Sequence, residues 1–213
     1  MFKFTLSEVR DLLIAFFFIS LCFGILYSGR DMNALANILP MVMVGVGLGF
    51  ILHELGHKFV SMRHGYWAEF KIWPQGILFA LVTSFFGFVF AAPGAVYTYA
   101  NYITDEINGK ISVAGPVVNI ILALIFLLIA TWVYRSAFTD QNALTIFIVC
   151  TLGYSINSYL AVFNMLPIGN LDGSKVMRWN FGIWIIVIGI AAVMTGLSMT
   201  VGVENLVRMI IGF

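Results

Sequence analysis

Positions 53 to 57 read His-Glu-x-x-His, with His53, Glu54 and His57 as the residues able to do chemistry. On a helix, side chains four apart stand one above the other on one face, so both imidazoles can offer a nitrogen to a single metal ion. Glu54 flanks that face and can reach a water held by the ion. Two neutral nitrogen ligands beside a carboxylate general base form the donor set of zinc-assisted hydrolysis, with one Zn2+ per chain. A site of this kind needs a third protein ligand and one open position for water.

The elements that must carry these residues are apolar. From Leu39 to Leu52, directly before the motif, no side chain is charged, and ionisable groups in such a segment are costly and functional by default. Across all 213 residues, 61% are hydrophobic and 10% charged, against roughly 25% charged in a soluble domain. This composition predicts an all-α polytopic membrane protein with five to six transmembrane helices, and the three that carry the candidate residues are expected to form a three-helix catalytic core. The formal charge of +1 and the lack of a basic cluster argue against nucleic acid as a partner. Cys22 and Cys150 sit in apolar runs and read as small hydrophobic filling. With no repeat or linker, one integral membrane domain is expected over 1–213.

In chain order, Leu12 to Tyr27 reads as a first span, preceded by a short amphipathic stretch with Lys3 and Arg10 as anchors. A cleaved signal peptide is the rival reading, but the small-residue cleavage pattern is missing. The second span, about Ala34 to Val60, carries the motif near its end, with Pro40 expected in its first turn. Tyr66 to Trp73 alternates in the manner of a strand, and Ile77 to Ala92 either spans or re-enters before Ala95 to Tyr99. The region 66–104 is therefore expected to be a small strand or re-entrant insert, whose open edge at 66–76 could pair with an extended peptide. Ile111 to Tyr134 and Ala143 to Phe163 are further spans, and Pro167 and Gly169 predict extended or unwound backbone at Asp172. Phe181 to Leu197 spans again, and Val201 to Phe213 is either a short last span or an interfacial tail.

With a cytoplasmic amino terminus, eight Lys and Arg fall on the inner side against Arg30 and Arg135 outside, with Arg208 unassigned, which favours that orientation in the cell membrane. His53, Glu54, His57, Asn119, Asn164 and Asp172 then share one depth near the inner side. Depth selects Asp172 as third ligand, with Glu69 as a weaker rival. Glu54 is the general base, its alternative being a carboxylate that orients a histidine. Asn119 and Asn164 each divide between polarising a substrate carbonyl and bonding one helix to another. A zinc transporter would more often place ligands at midplane with carboxylates leading to both faces, and a silent scaffold would usually have lost Glu54 or a ligand.

Three motifs together resemble the site-2 protease family of intramembrane zinc metalloproteases. They are HELGH at His53 to His57, Gly115-Pro116-x-x-Asn119, and Asn164-x-Leu166-Pro167-x-x-x-Leu171-Asp172-Gly173, and the resemblance covers about residues 35–180, which it implies as the catalytic core. The resemblance implies zinc ligands at His53, His57 and Asp172, catalytic Glu54 and a supporting Asn164. It also implies transmembrane substrate proteins, cut within the lipid bilayer near the cytoplasmic side, and it is compatible with a homodimer. Asn170 stands where the family often has proline, and 66–102 lacks the short Gly-rich turn common after the motif helix. No PDZ or CBS module is present, so recognition is expected from the membrane domain or from a separate partner.

Overall fold

The computed structural model describes residues 3–212; Met1, Phe2 and Phe213, at the ends of the expected 1–213 domain, lie outside the described residues. Among the described residues, five helices are long and apolar enough to cross a membrane: α1 (Leu6–Tyr27), α2 (Met32–Arg63), α4 (Asp105–Val133), α5 (Gln141–Asn164) and α7 (Phe181–Thr200). Between them lie β1 (Trp67–Ile72), α3 (Pro74–Ser84), β2 (Gly94–Tyr99) and α6 (Asp172–Trp179), and α8 (Val203–Ile211) follows α7. The chain is a multi-pass membrane protein, with Leu128, Trp132, Ile186 and Val193 among the apolar side chains on its outer surface.

Local chemistry sets the helix starts. Thr5 Oγ1 accepts the Glu8 amide at 3.1 Å, and Asp31 Oδ1 accepts the amides of Asn33 and Ala34 at 2.7 and 3.3 Å. Each satisfies a donor that the first turn of a helix leaves open. The Asp31 cap starts α2 at Met32, so Pro40 lies inside the helix and not in its first turn, contrary to expectation. Gly115 and Pro116 likewise sit within an unbroken α4. Helices α2, α4 and α5 form the central trio; a Cβ on Gly45 of α2 would come within 3.1 Å of the Gly153 Cα of α5, so the two backbones nearly touch. One apolar cluster joins α1, α2, α5 and the sheet through Ile19, Phe23, Val46, Phe70 and Ile156. A second joins α4, α5, α7 and α8 through Phe126, Ala130, Tyr154, Met194 and Val207.

The insert after α2 returns to its starting point. β1 and β2 pair antiparallel with Trp67 opposite Tyr99 and Ile72 opposite Gly94, and the Trp73 amide donates to the Pro93 carbonyl at 2.7 Å. α3 has 11 residues, about 16 Å of helix against a hydrocarbon core of about 30 Å. With both ends held together, 74–93 re-enters and does not span. Its irregular return is supplied with partners: Tyr159 Oη of α5 donates to the Val89 carbonyl at 2.8 Å, and Thr83 Oγ1 accepts the Phe90 amide at 3.0 Å. Non-helical backbone at membrane depth requires such partners.

The outer edge of β1 is occupied. Glu8 Oε1 accepts the Phe70 amide at 3.1 Å and Asp11 Oδ2 accepts the Ile72 amide at 3.4 Å. Glu8 is also ion-paired with Lys58, and both side chains are buried. The expectation that 66–76 presents an open edge is therefore corrected, since α1 covers it. α8 has nine residues, too short to span, and buries Val203 and Val207 against α4 and α5.

Candidate metal centre

His53 and His57 are about 2.8 and 1.7 turns from the end of α2, and both are buried against α4. Each ring is oriented by its Nδ1. His53 Nδ1 lies 2.6 Å from Asn119 Oδ1, and His57 Nδ1 lies 2.8 Å from the Ile111 carbonyl oxygen. A carbonyl oxygen can only accept, so His57 carries its proton on Nδ1 and keeps a lone pair on Nε2. Asn119 is oriented by two further bonds: its Nδ2 donates to the Gly49 carbonyl at 3.1 Å and to Asn157 Oδ1 at 2.9 Å. Asn157 is held in turn, its Nδ2 donating to the carbonyls of Gly45 and Gly153 at 3.3 and 2.8 Å. The ladder leaves Asn119 Oδ1 facing His53, so the His53 proton also sits on Nδ1.

Both Nε2 atoms therefore present lone pairs to the same space. They are 3.0 Å apart, and Asp172 Oδ2 lies 3.4 Å from His53 Nε2 and 3.1 Å from His57 Nε2. Three acceptors packed this closely repel one another unless a cation stands among them. The separations also fit the donor edges of a tetrahedron with metal bonds of about 2.0–2.1 Å, which are about 3.3 Å. Gly115 of α4 completes the cradle: a Cβ there would lie 2.5 Å from His57 Nε2 and 2.6 Å from His53 Nε2. His53, His57 and Asp172 form the one such ligand group among the described residues.

Asp172 is presented by α6 as its first residue, after a loop that ends at Leu171 in extended backbone. The expected unwound backbone is thus the loop before Asp172, and the aspartate itself opens a helix. Gly173 allows this approach, since a Cβ there would fall 2.0 Å from the Met165 carbonyl oxygen. Lys175 Nζ stands 3.8 Å from Asp172 Oδ1, the oxygen turned away from the histidines. Glu54 is buried, and its Oε2 has no hydrogen-bond partner. A buried, unpartnered carboxylate oxygen beside three convergent donors is the position from which a base would address a water.

Comparison with known families agrees with this donor set. Residues 41–187 match the model of Peptidase family M50. The chain belongs to that family. A protein of Methanocaldococcus jannaschii named "Putative zinc metalloprotease" is 39% identical over 187 residues, covering 87% of this chain and 91% of its own. Bacillus subtilis YwhC, with the same designation, is 27% identical over 67% of this chain and 69% of its own. Mycobacterium tuberculosis Rip2, likewise so designated, is 30% identical over 68% and 59%. No solved structure matches. As an M50 peptidase the chain is a zinc metalloprotease, and His53, His57 and Asp172 are the residues that fit the ion.

The remaining candidates divide. Asn119 is joined to the histidines, bonding helix to helix and orienting His53. Asn164 ends α5, and its Nδ2 donates to the Leu160 carbonyl of its own helix at 3.0 Å. Glu69 is held on β1 by Thr5 and Ser7 and lies outside the ligand group. Sequence reasoning overlooked Asn157, Lys175 and the Ile111 carbonyl. Asn157 carries the signal already applied to Asn119, an amide in an apolar span that must find a partner.

Proposed function

We propose that this M50 protease cuts peptide bonds within or near transmembrane segments of other membrane proteins, at the cytoplasmic side of the cell membrane. The observation that carries this reading is the depth of the site. His57 and His53 lie about 9 and 15 Å from the Arg63 end of a helix that spans, so a substrate reaches them inside or at the edge of the bilayer.

Zinc, when bound, supplies a Lewis acid that lowers the pKa of a coordinated water and polarises a carbonyl. Glu54 accepts the proton of the attacking water on Oε2 and returns it to the leaving nitrogen. Asn164 commits one amide hydrogen to Leu160 and has a second with which to polarise the substrate carbonyl. The Asn119–Asn157 ladder keeps His53 in the tautomer that leaves Nε2 unprotonated.

A helical substrate hides its carbonyls in internal hydrogen bonds and must be drawn out before it can react. β2 is suited to this. The Phe70 amide is taken by Glu8, so Phe70 and Val96 are a non-hydrogen-bonded pair, and the Val96 amide points away from β1. It meets the Glu54 carboxylate, which, unlike Glu8 with its Lys58 partner, is held by no ion pair among the described residues, so an added segment takes the amide in its place. An extended segment added along that edge runs past the catalytic carboxylate.

The test is reconstitution in proteoliposomes with a panel of transmembrane substrates and an unfolded soluble protein, for wild type and Glu54→Gln. Cleavage inside the membrane segments by wild type only, with equal zinc in both proteins, is the expected result. A wild type that holds one zinc and cuts only the soluble protein would overturn the intramembrane reading.

A further inference from the structure

The first two turns of α1 carry a set of charges that the zinc chemistry does not use. Glu8 and Asp11 lie three residues apart, one turn of helix, and each accepts an outward amide of β1, Phe70 and Ile72 respectively. Thr5 and Ser7 bond Glu69 of the same strand. Glu8 and Lys58 are 1% and 0% exposed. A buried ion pair is a weak source of stability, and apolar side chains of similar volume would hold α1 against α2 as well. What the two carboxylates provide and apolar groups cannot is an acceptor for two successive outward amides on the edge of β1, those of Phe70 and Ile72. Ionised carboxylates only accept, so they occupy the donors that an incoming strand would need.

A two-stranded sheet has two edges, and both can add a strand. A segment added to β2 lies beside Glu54. A segment added to β1 would lie on the α1 side of the sheet, with both strands between it and β2's outer edge, where the scissile carbonyl is out of reach. We infer that Glu8 and Asp11 are specificity-determining residues that mask the outer edge of β1, so that an extended substrate adds to the sheet only along β2. This rests on the strand-addition reading given above.

Two variants lift the mask, one in full and one at Ile72 only. One is Glu8→Leu with Lys58→Met, which takes out both charges together, combined with Asp11→Leu. The other is Asp11→Leu alone, which keeps the Glu8–Lys58 pair should the triple variant fail to fold. Binding is read by hydrogen exchange in the Glu54→Gln background, with a non-cleaved transmembrane test peptide, following segments 66–73 and 93–100. In the masked protein the peptide protects 93–100 and leaves 66–73 unchanged. Unmasking speeds basal exchange of 66–73, and the peptide then protects that segment too. With Glu54 present, non-productive binding lowers kcat and KM together, by about the same factor, and leaves kcat/KM within twofold; general damage to the site lowers kcat/KM. Unchanged basal exchange of 66–73 overturns the proposal, as does peptide protection confined to 93–100 after unmasking. Protection of neither segment in the masked protein overturns strand addition itself, and the masking claim with it, while basal exchange still reports whether the carboxylates cap β1.

Discussion

Gly115 separates a site that can hold an ion from one that cannot by a single methyl group. A Cβ at this position stands 2.5–2.6 Å from both imidazole nitrogens, in the space the metal needs, and close-packed helices shift little to make room for it. Gly115→Ala is therefore expected to weaken zinc binding at least as much as Asp172→Ala does, and zinc competition against a chromogenic chelator measures both. Asn119→Ala leaves the ligands in place and removes the group that fixes His53, with an expected loss of about 10- to 100-fold in zinc affinity. Glu54→Gln should bind zinc like wild type, since Glu54 lies outside the ligand group. Undiminished affinity in Asp172→Ala would transfer the third ligand elsewhere. At this scale the ligand-type residues were legible, because His, Glu and Asp in apolar runs stand out against their neighbours. The space at Gly115 and the amide ladder through Asn157 were not, because both depend on how closely three helices approach across more than 30 residues of sequence.

Elements that look interchangeable as apolar runs differ in how their backbone is satisfied. The spans could be read from length and hydropathy, and β1 from alternation, because those patterns are local. Whether Ile77 to Ala92 crosses was not legible, since it turns on the Trp73–Pro93 bond and the strand pairing that close the insert. The Glu8–Lys58 pair was equally hidden, as the two residues are 50 positions apart. Tyr159 tests the re-entrant element directly. Tyr159→Phe keeps the ring stacked on Phe163 and removes the donor to the Val89 carbonyl. Leaving that carbonyl unsatisfied in a water-poor setting costs about 1–3 kcal/mol. The expected outcome is a lower thermal midpoint and faster proteolysis between Phe85 and Ala92, with zinc affinity unchanged. Equal stability of the two proteins would mean that the Val89 carbonyl has another donor.

The whole molecule places its chemistry at one end. The Arg63 end of α2, the Asp105 end of α4, the Asn164 end of α5, α6 and the sheet must lie on one side of the membrane, because five spans and a re-entrant insert leave no other connection. That side collects Lys3, Arg10, Lys58, Arg63, Lys71, Lys110, Lys175 and Arg178, and the opposite side has Arg30, Arg135 and Arg208. Arg208 belongs to the second group because α8 follows α7, and its Nε donates to Tyr134 Oη at the far end of α4 at 2.6 Å. Eight against three predicts that the zinc end faces the cytoplasm, though buried Lys58 counts for less than a loop residue would. Single cysteines at Lys71, Arg178 and Arg135 decide it, since Cys22 and Cys150 are both buried and stay silent to a membrane-impermeant thiol reagent. In intact cells only Arg135→Cys should label, and in inverted vesicles only Lys71→Cys and Arg178→Cys. Labelling of Lys71→Cys and Arg178→Cys in intact cells would reverse the orientation and leave the fold standing. Opposite behaviour of Lys71→Cys and Arg178→Cys would mean that 74–93 crosses the membrane, and the shared depth of Glu54 and β2 would fall with it.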